Sequence, residues 1–276
     1  MIDKYPCATI DKNIIYSEFE GVQLTFDMIY KTKKALQKRP AIVFLHGGGF
    51  RAGEPSQFHA IASYFANKFD IFSVSVKYRL TPYIKWPGNL LDVKKAIQWL
   101  RENYGEYSID TEKIIACGGS AGGYLALMSV LDVPAAKDFE ELNPTVSRAN
   151  AAVLLNGIID GMATYNNTPV AKEVFDLLMG GTVDELPEDY HNASPVNLFD
   201  ENVPPVLMMQ GAEDDIAPYK DTISAYEKLI SLGTTAEICI FPGQGHGWFN
   251  AAENQPPVFD KIESFLQTIG FIERKL

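Results

Sequence analysis

The chain has 276 residues, 46% apolar and 21% charged, with a formal net charge of −11. This is ordinary globular composition in a chain long enough to bury about three quarters of its unfolded surface. The negative balance excludes partners that need a basic face to displace counterions, nucleic acid and anionic lipid among them, and is the common way of keeping a cytosolic protein in solution.

Taken in chain order, the opening residues (MIDKYPCATIDKNIIYSEFEG) hold no apolar core of the signal-peptide kind. No run of about 18 apolar residues follows anywhere, so no membrane partner is expected. The pattern then predicts strands over 22–29 and 41–45, a helix over 58–68, a strand over 71–78, a helix over 90–104, a strand over 113–117 and a helix over 121–131. After these come a strand over 151–155, a helix over 171–179, a strand over 205–210, a helix over 220–231, a strand over 236–241 and a helix over 257–269. Short, β-branched, nearly all-apolar strands alternating with amphipathic helices predict a doubly wound, mostly parallel α/β sheet covered on both faces. One domain spanning residues 1–276 follows. Residues 156–204 break the rhythm with one helix, a Gly-Gly pair and several prolines. Lying between two central strands, they are read as a partial cap over the C-terminal edge of the sheet.

The strongest local pattern is Lys113-Ile-Ile-Ala-Cys-Gly118-Gly119-Ser120-Ala121-Gly122-Gly123, a Gly-x-Ser-x-Gly between a strand and a helix. A serine on such a tight turn is pushed above the sheet. Small residues are needed two positions before and after it, where strand and helix backbones pass closely. The helix N-terminus behind Ser120 also favours developing negative charge. The second pattern is Ile42-Val-Phe-Leu-His46-Gly47-Gly48-Gly49-Phe50, a strand entering a glycine-rich turn whose amides are free of side-chain obstruction. The amides of Gly48, Gly49 and Ala121 are the expected oxyanion donors.

Gly47-x-Gly49-x-x-Ala52 also fits the dinucleotide fingerprint in its Gly/Ala form. That motif needs a helix opening inside it, whereas Gly53-Glu54-Pro55 interrupts here. The following strand ends in Lys77-Tyr78-Arg79, with no acid to hold a ribose.

A serine nucleophile needs a base, and the chain has four histidines. His46 belongs to the glycine-rich turn, His59 to a helix, and His191 to the polar insertion. His246, in Pro242-Gly-Gln-Gly-His246-Gly-Trp-Phe after the last strand, sits where a loop brings a base to the sheet edge. The acid orienting that base is expected in Gly211-Ala-Glu213-Asp214-Asp215, where spacing leaves Glu213, Asp214 and Asp215 open. The chain order of serine, acid and histidine suits the fold. The aromatics Phe50, Trp86, Tyr124, Tyr219 and Trp248 flank these loops and are candidate substrate-lining residues.

The cysteines number three. Cys117 and Cys239 lie in apolar strand-like runs, and with Cys7 they show no paired spacing. No disulfide framework and no metal site are expected, and the compartment is read as reducing, hence cytoplasmic. The acidic helix near Glu227 faces solvent or a second subunit, so a homo-oligomer stays open.

Together the motifs resemble the esterase/lipase branch of the α/β-hydrolases, most closely the small carbohydrate esterases of the acetylxylan and feruloyl type. The likeness runs from about Ala41 to Phe249. It covers His46–Phe50, Tyr78-Arg79-Leu80-Thr81-Pro82, Pro87, Asp92, Gly118–Gly123, Ala193-Ser-Pro195, Gly211-x-x-Asp214-x-x-x-Pro218 and Gly245-His246-Gly247. The resemblance implies Asp214 as the triad acid, since in such families it stands three after the glycine, and it supports the same oxyanion donors. Two departures stand out. Lipase-like relatives carry an acid just before the serine, where this chain has Gly119, and they carry a large N-terminal helical cap, for which the segment before Ala41 is too short and too strand-like.

The expected function is a serine esterase without cofactor, acting through an acyl-enzyme on short-chain, acetyl-like esters of a sugar or small alcohol. An arylformamidase or small serine peptidase would use the same groups. A non-catalytic ligand-binding protein on this fold typically lacks the serine or histidine.

Overall fold

The computed structural model describes residues 8–19, 21–137, 139 and 142–273, so the reading of Cys7 lies outside the described residues. The strands are β1 (Thr9–Phe19), β2 (Val22–Tyr30), β3 (Arg39–Leu45), β4 (Phe72–Lys77), β5 (Ile109–Gly119), β6 (Ala151–Leu155), β7 (Val206–Gly211) and β8 (Ala236–Phe241). The helices are α1 (His59–Phe69), α2 (Gly88–Glu102), α3 (Tyr104–Tyr107), α4 (Ala121–Ser129), α5 (Pro134–Lys137), α6 (Gly161–Asn167), α7 (Pro169–Met179), α8 (Pro187–Asn192), α9 (Tyr219–Ser231) and α10 (Gln255–Thr268).

One eight-stranded sheet runs in the order β1-β2-β4-β3-β5-β6-β7-β8. β1 and β2 pair antiparallel, as do β2 and β4, and every other pairing is parallel. This is the α/β-hydrolase architecture.

Alternation along the buried strands divides the core. In β3, Ala41, Val43 and Leu45 face one apolar layer with Leu90, Val93, Ile97 and Leu100 of α2 and Leu125 and Met128 of α4. Ile42 and Phe44 face the other, with Ile61 and Phe65 of α1 and Phe259, Ile262 and Phe265 of α10. Two-sided burial is why these strands read as continuous apolar runs.

β1 is absent from the expected elements. It is an edge strand, half exposed along its length, with register shifts between Asp11 and Ile14 and between Ile15 and Ser17. Each shift resets the alternation on which a strand prediction depends. Residues 156–204 hold α6, α7, α8 and a 3-10 turn at Pro195–Leu198, where one helix was expected. α6 and α8 have seven and six residues, too few for a helical period to emerge.

Candidate active site

The parallel strands β3, β5, β6 and β7 end at one edge, and the loops leaving them carry the polar groups of the site. The strand β5 stops at Gly119, and α4 begins at Ala121, leaving Ser120 alone at the turn with φ 53° and ψ −119°. A serine at positive φ is strained. Its surroundings hold it there: Ser120 N–H donates to Leu155 O at 2.9 Å, and Tyr124 N–H donates to Ser120 O at 3.0 Å. The flanking glycines are sterically obligatory. A Cβ on Gly118 would lie 2.2 Å from Gly122 O, and one on Gly122 would lie 2.0 Å from Leu45 O. Gly119, the departure noted above, has its own cause. A Cβ there would lie 2.2 Å from the Phe249 ring, so Phe249 fills the space a side chain at this position would take.

Ser120 Oγ and His246 Nε2 are 2.8 Å apart. On its other side His246 Nδ1 lies 2.8 Å from Asp214 Oδ2 and 3.0 Å from Oδ1. An ionised carboxylate only accepts, so Nδ1 carries the proton and donates to Asp214, and Nε2 is left to accept from the serine hydroxyl. Glu213 and Asp215 are exposed, whereas the Asp214 side chain is fully buried.

A buried carboxylate is stable only when its lone pairs are used. Asp214 Oδ1 accepts from the amides of Ile216 and Ala217 at 2.9 and 2.8 Å, and Oδ2 accepts from Gln210 Nε2 at 2.8 Å and from Asn156 Nδ2. Burial pushes this carboxyl up. The hydrogen bond and charge of His246, with the Ala217 amide and Asn156, outweigh burial and hold it below the ordinary aspartate value.

The glycine-rich turn after β3 is fastened from three sides. Gln57 Oε1 accepts from Gly47 N–H at 2.7 Å, Tyr78 O–H donates to His46 O at 2.7 Å, and Thr81 N–H donates to Phe50 O at 2.9 Å. His46 stacks on Tyr78 with ring centres 4.2 Å apart, and burial pushes its imidazole below the usual value. Arg79 and Asp92, both in the motif segments, form a forked ion pair with contacts of 2.7–3.1 Å. Gly48 sits at φ 117°, and a Cβ there would lie 2.2 Å from Ala52 O. Among the described residues, no group accepts from the amides of Gly48, Gly49 or Ala121. All three leave their donors free beside Ser120.

A cleft of about 320 Å³ opens at this edge, with Gly47, Gly48, Gly49, Ser120 and His246 in its wall. Ile158, Val170, Ala171, Val174 and Phe175 from residues 156–204, together with Ile216 and Phe249, make it largely apolar. Arg51, Gln57, Thr164 and Asn250 supply polar groups.

The five aromatic candidates are not among the residues that line it. Phe50 and Tyr124 are fully buried, edge to face with each other, and Tyr124 O–H donates to Ala193 O at 2.6 Å. Trp86 packs against Tyr124, Trp248 against Phe241 in the opposite apolar layer, and Tyr219 starts α9. None of them lines the cleft, because closeness to a motif along the chain does not set side-chain direction. The other histidines also stay apart: His59 lies 2.9 Å from Asp27 under the sheet, and His191 lies beside Asn197 on the surface. Asn156, Gln57 and Gln210 were not anticipated. Asn156 and Gln210 carried one signal, a polar residue at the end of an apolar strand on the catalytic edge.

Among the described residues no helix is long and apolar enough to cross a membrane, and no group of three or more metal-ligating side chains occurs. The chain superposes on the propionate-bound thermophilic esterase 2 of Thermogutta terrifontis with a TM-score of 0.81 and 29% identity, covering 99% of this chain and 98% of that one. It is equally similar to that enzyme phosphorylated by paraoxon, with a TM-score of 0.80 and 28% identity over 98% and 97% of the two chains. Among curated proteins, Esterase LipC of Mycobacterium tuberculosis is 30% identical over 76% of this chain and 53% of its own length. Versiconal hemiacetal acetate esterase of Dothistroma septosporum is 28% identical over 88% of this chain and 76% of its own. The chain spans about half the length of LipC and of two further mycobacterial relatives, LipM and LipQ. The BD-FAE family model matches residues 27–229, which takes in the glycine-rich turn, the serine elbow and the acid loop, and the chain belongs to the BD-FAE family of α/β-hydrolases.

Proposed function

We propose that the protein is a serine carboxylesterase acting on short-chain esters. One observation carries this reading: Ser120 Oγ, His246 and Asp214 form an unbroken hydrogen-bonded line at the wall of a small apolar cleft. Ser120 Oγ attacks the ester carbonyl as its proton passes to His246 Nε2. Asp214 holds the ring and stabilises the imidazolium. The amides of Gly48, Gly49 and Ala121 receive the oxyanion, each such donor being worth roughly 3–4 kcal/mol to a transition state of this kind. The imidazolium then protonates the leaving alcohol, and water repeats the sequence on the acyl-enzyme.

A cleft of about 320 Å³ is at the small end for ligand sites. It suits acetyl, propionyl or butyryl groups against Val174, Phe175 and Ile158, in keeping with the propionate-bound and butyrate-bound relatives and the acetate esterase. Gln57, Arg51 and Asn250 at the same opening suit a polar leaving alcohol such as a sugar hydroxyl. Residues 156–204 serve as the partial cap, supplying most of the apolar wall.

The test is turnover of p-nitrophenyl acetate, butyrate and octanoate, and of an acetylated sugar, by wild type and Ser120→Ala. The reading requires turnover of the short esters, weak turnover of octanoate, and loss of all of it in the variant. Full activity in Ser120→Ala defeats it.

A further inference from the structure

A second cavity, of about 270 Å³, lies where α4 ends and the chain turns toward β6, at the opposite end of that helix from Ser120. Lys94 of α2, Ser147 and Arg148 line it. Lys94 is only 6% exposed. A buried ammonium is costly unless paired, yet its one hydrogen bond among the described residues is a 3.5 Å contact with Ser129 O, at the weak end of hydrogen-bond geometry. Arg148 lies near enough for its like charge to act on Lys94; burial first, and then that charge, outweigh the attraction of Asp132 and push the ammonium down to about 8. Asp132, the one carboxylate lining the cavity among the described residues, is paired at 2.9 Å with Lys137, and both side chains are more than half exposed. Ser147 is 2% exposed, and its hydroxyl makes no hydrogen bond among the described residues. Arg148 uses Nε on Val130 O and Nη2 on Asn202 O, which leaves Nη1 uncommitted.

Among the described residues, two cations and a hydroxyl thus share a cavity whose one carboxylate, Asp132, is already paired with Lys137. We propose that this cavity is a binding site for a small oxyanion, a carboxylate or a phosphate, held by the Lys94 ammonium, the Ser147 hydroxyl and Arg148 Nη1. Such a group sets negative charge between the two cations and accepts from three donors. The volume admits inorganic phosphate or a short carboxylate. The site lies outside the ester cleft and shares no residue with it.

The experiment is isothermal titration and thermal melting of the full chain with inorganic phosphate, with acetate, and with chloride at matched ionic strength. Saturable one-site binding of phosphate or acetate, absent with chloride, is expected, and the anion that saturates names the group. Lys94→Met keeps the volume and removes the charge. It should melt at or above the wild-type temperature without ligand, weaken anion binding at least tenfold, and hydrolyse esters within twofold of wild type. Ser147→Ala should weaken binding severalfold. Absence of saturable binding by either anion overturns the proposal, and so does equal affinity in wild type and Lys94→Met, which marks an adventitious ion only. Should Lys94→Met fail to fold, unchanged affinity in Ser147→Ala overturns it instead.

Discussion

The strand-end frame and residues 156–204 face the same cleft but are held by different means. In the frame, backbone packs on backbone. A single added methyl on Gly118, Gly122 or Gly48 would sit 2.0–2.2 Å from a carbonyl oxygen, and Asp214 is surrounded by donors. Beyond Asn156 and Gly157, which pack into the frame, the 156–204 segment reaches it through scattered contacts. Arg51 meets Glu173 at 2.8 Å on the surface, Asn167 Nδ2 donates to Asp215 O at 2.7 Å, and Trp86 N–H donates to Leu178 O at 2.8 Å. The contrast teaches where variation is tolerated. Gly48, Gly118 and Gly122 around the chemistry sit where no side chain can grow, whereas the residues shaping the apolar wall are ordinary side chains whose size is free to change.

Substitutions in the frame should have the largest effects. Ser120→Ala or His246→Ala should lower kcat by about 10⁶ if each group acts as its subtilisin counterpart does, measured with p-nitrophenyl acetate at saturating substrate. Asp214→Asn should lower kcat by about 10⁴ through the wrong imidazole tautomer. It also sets an amide against the donors of Asn156 and Gln210. Because the Asp214 carboxyl is held below its unfolded value, its stabilising contribution is present above about pH 4 and is lost as pH falls through the lower folded value. The stability gap between wild type and Asp214→Asn should therefore be full at neutral pH and close under acid, as read from urea midpoints across pH.

Gly122→Ala sharpens the comparison by testing the frame alone. Its Cβ meets Leu45 O, and about 3 kcal/mol or more of stability should be lost, seen as a fall in the urea midpoint. In the opposite region, Val174→Ala should widen the cleft and raise the butyrate-to-acetate ratio of kcat/KM roughly tenfold, the usual scale for a methylene in an apolar pocket. Acetate turnover should stay nearly unchanged. Smallest of all, Glu173→Ala removes an exposed ion pair and should cost less than about 1 kcal/mol. A large loss of kcat in Val174→Ala with unaltered chain-length preference would erase the distinction between the two regions.

Much of the frame was legible in the sequence because its constraints are local. Glycines at 118 and 122 record a close backbone crossing, and two-sided burial makes β6 and the greater part of β3 and β7 read as apolar runs. His46, Tyr78, Arg79, Thr81 and Asp92 recurred as motif residues, and all brace the glycine-rich turn or the segment beside it. The edge strand β1 was illegible because its bulges break the alternation. The cleft wall was illegible for another reason. Ala171, Val174 and Phe175 lie on an anticipated helix, but which face meets Ser120 depends on how α7 docks over the sheet, and no local pattern encodes that. The aromatics at 50, 86, 124, 219 and 248 show the converse, since four of them are spent on packing rather than on the cleft.

The central claim is that His246 and Asp214 activate one hydroxyl among all those in the chain. Reaction with paraoxon, followed by intact mass and peptide mapping, tests it most directly. The account predicts one phosphoryl adduct, mapped to Ser120, absent in Ser120→Ala and slowed at least a thousandfold in His246→Ala. An adduct mapped to another residue, or labelling of equal rate without the imidazole, would contradict it.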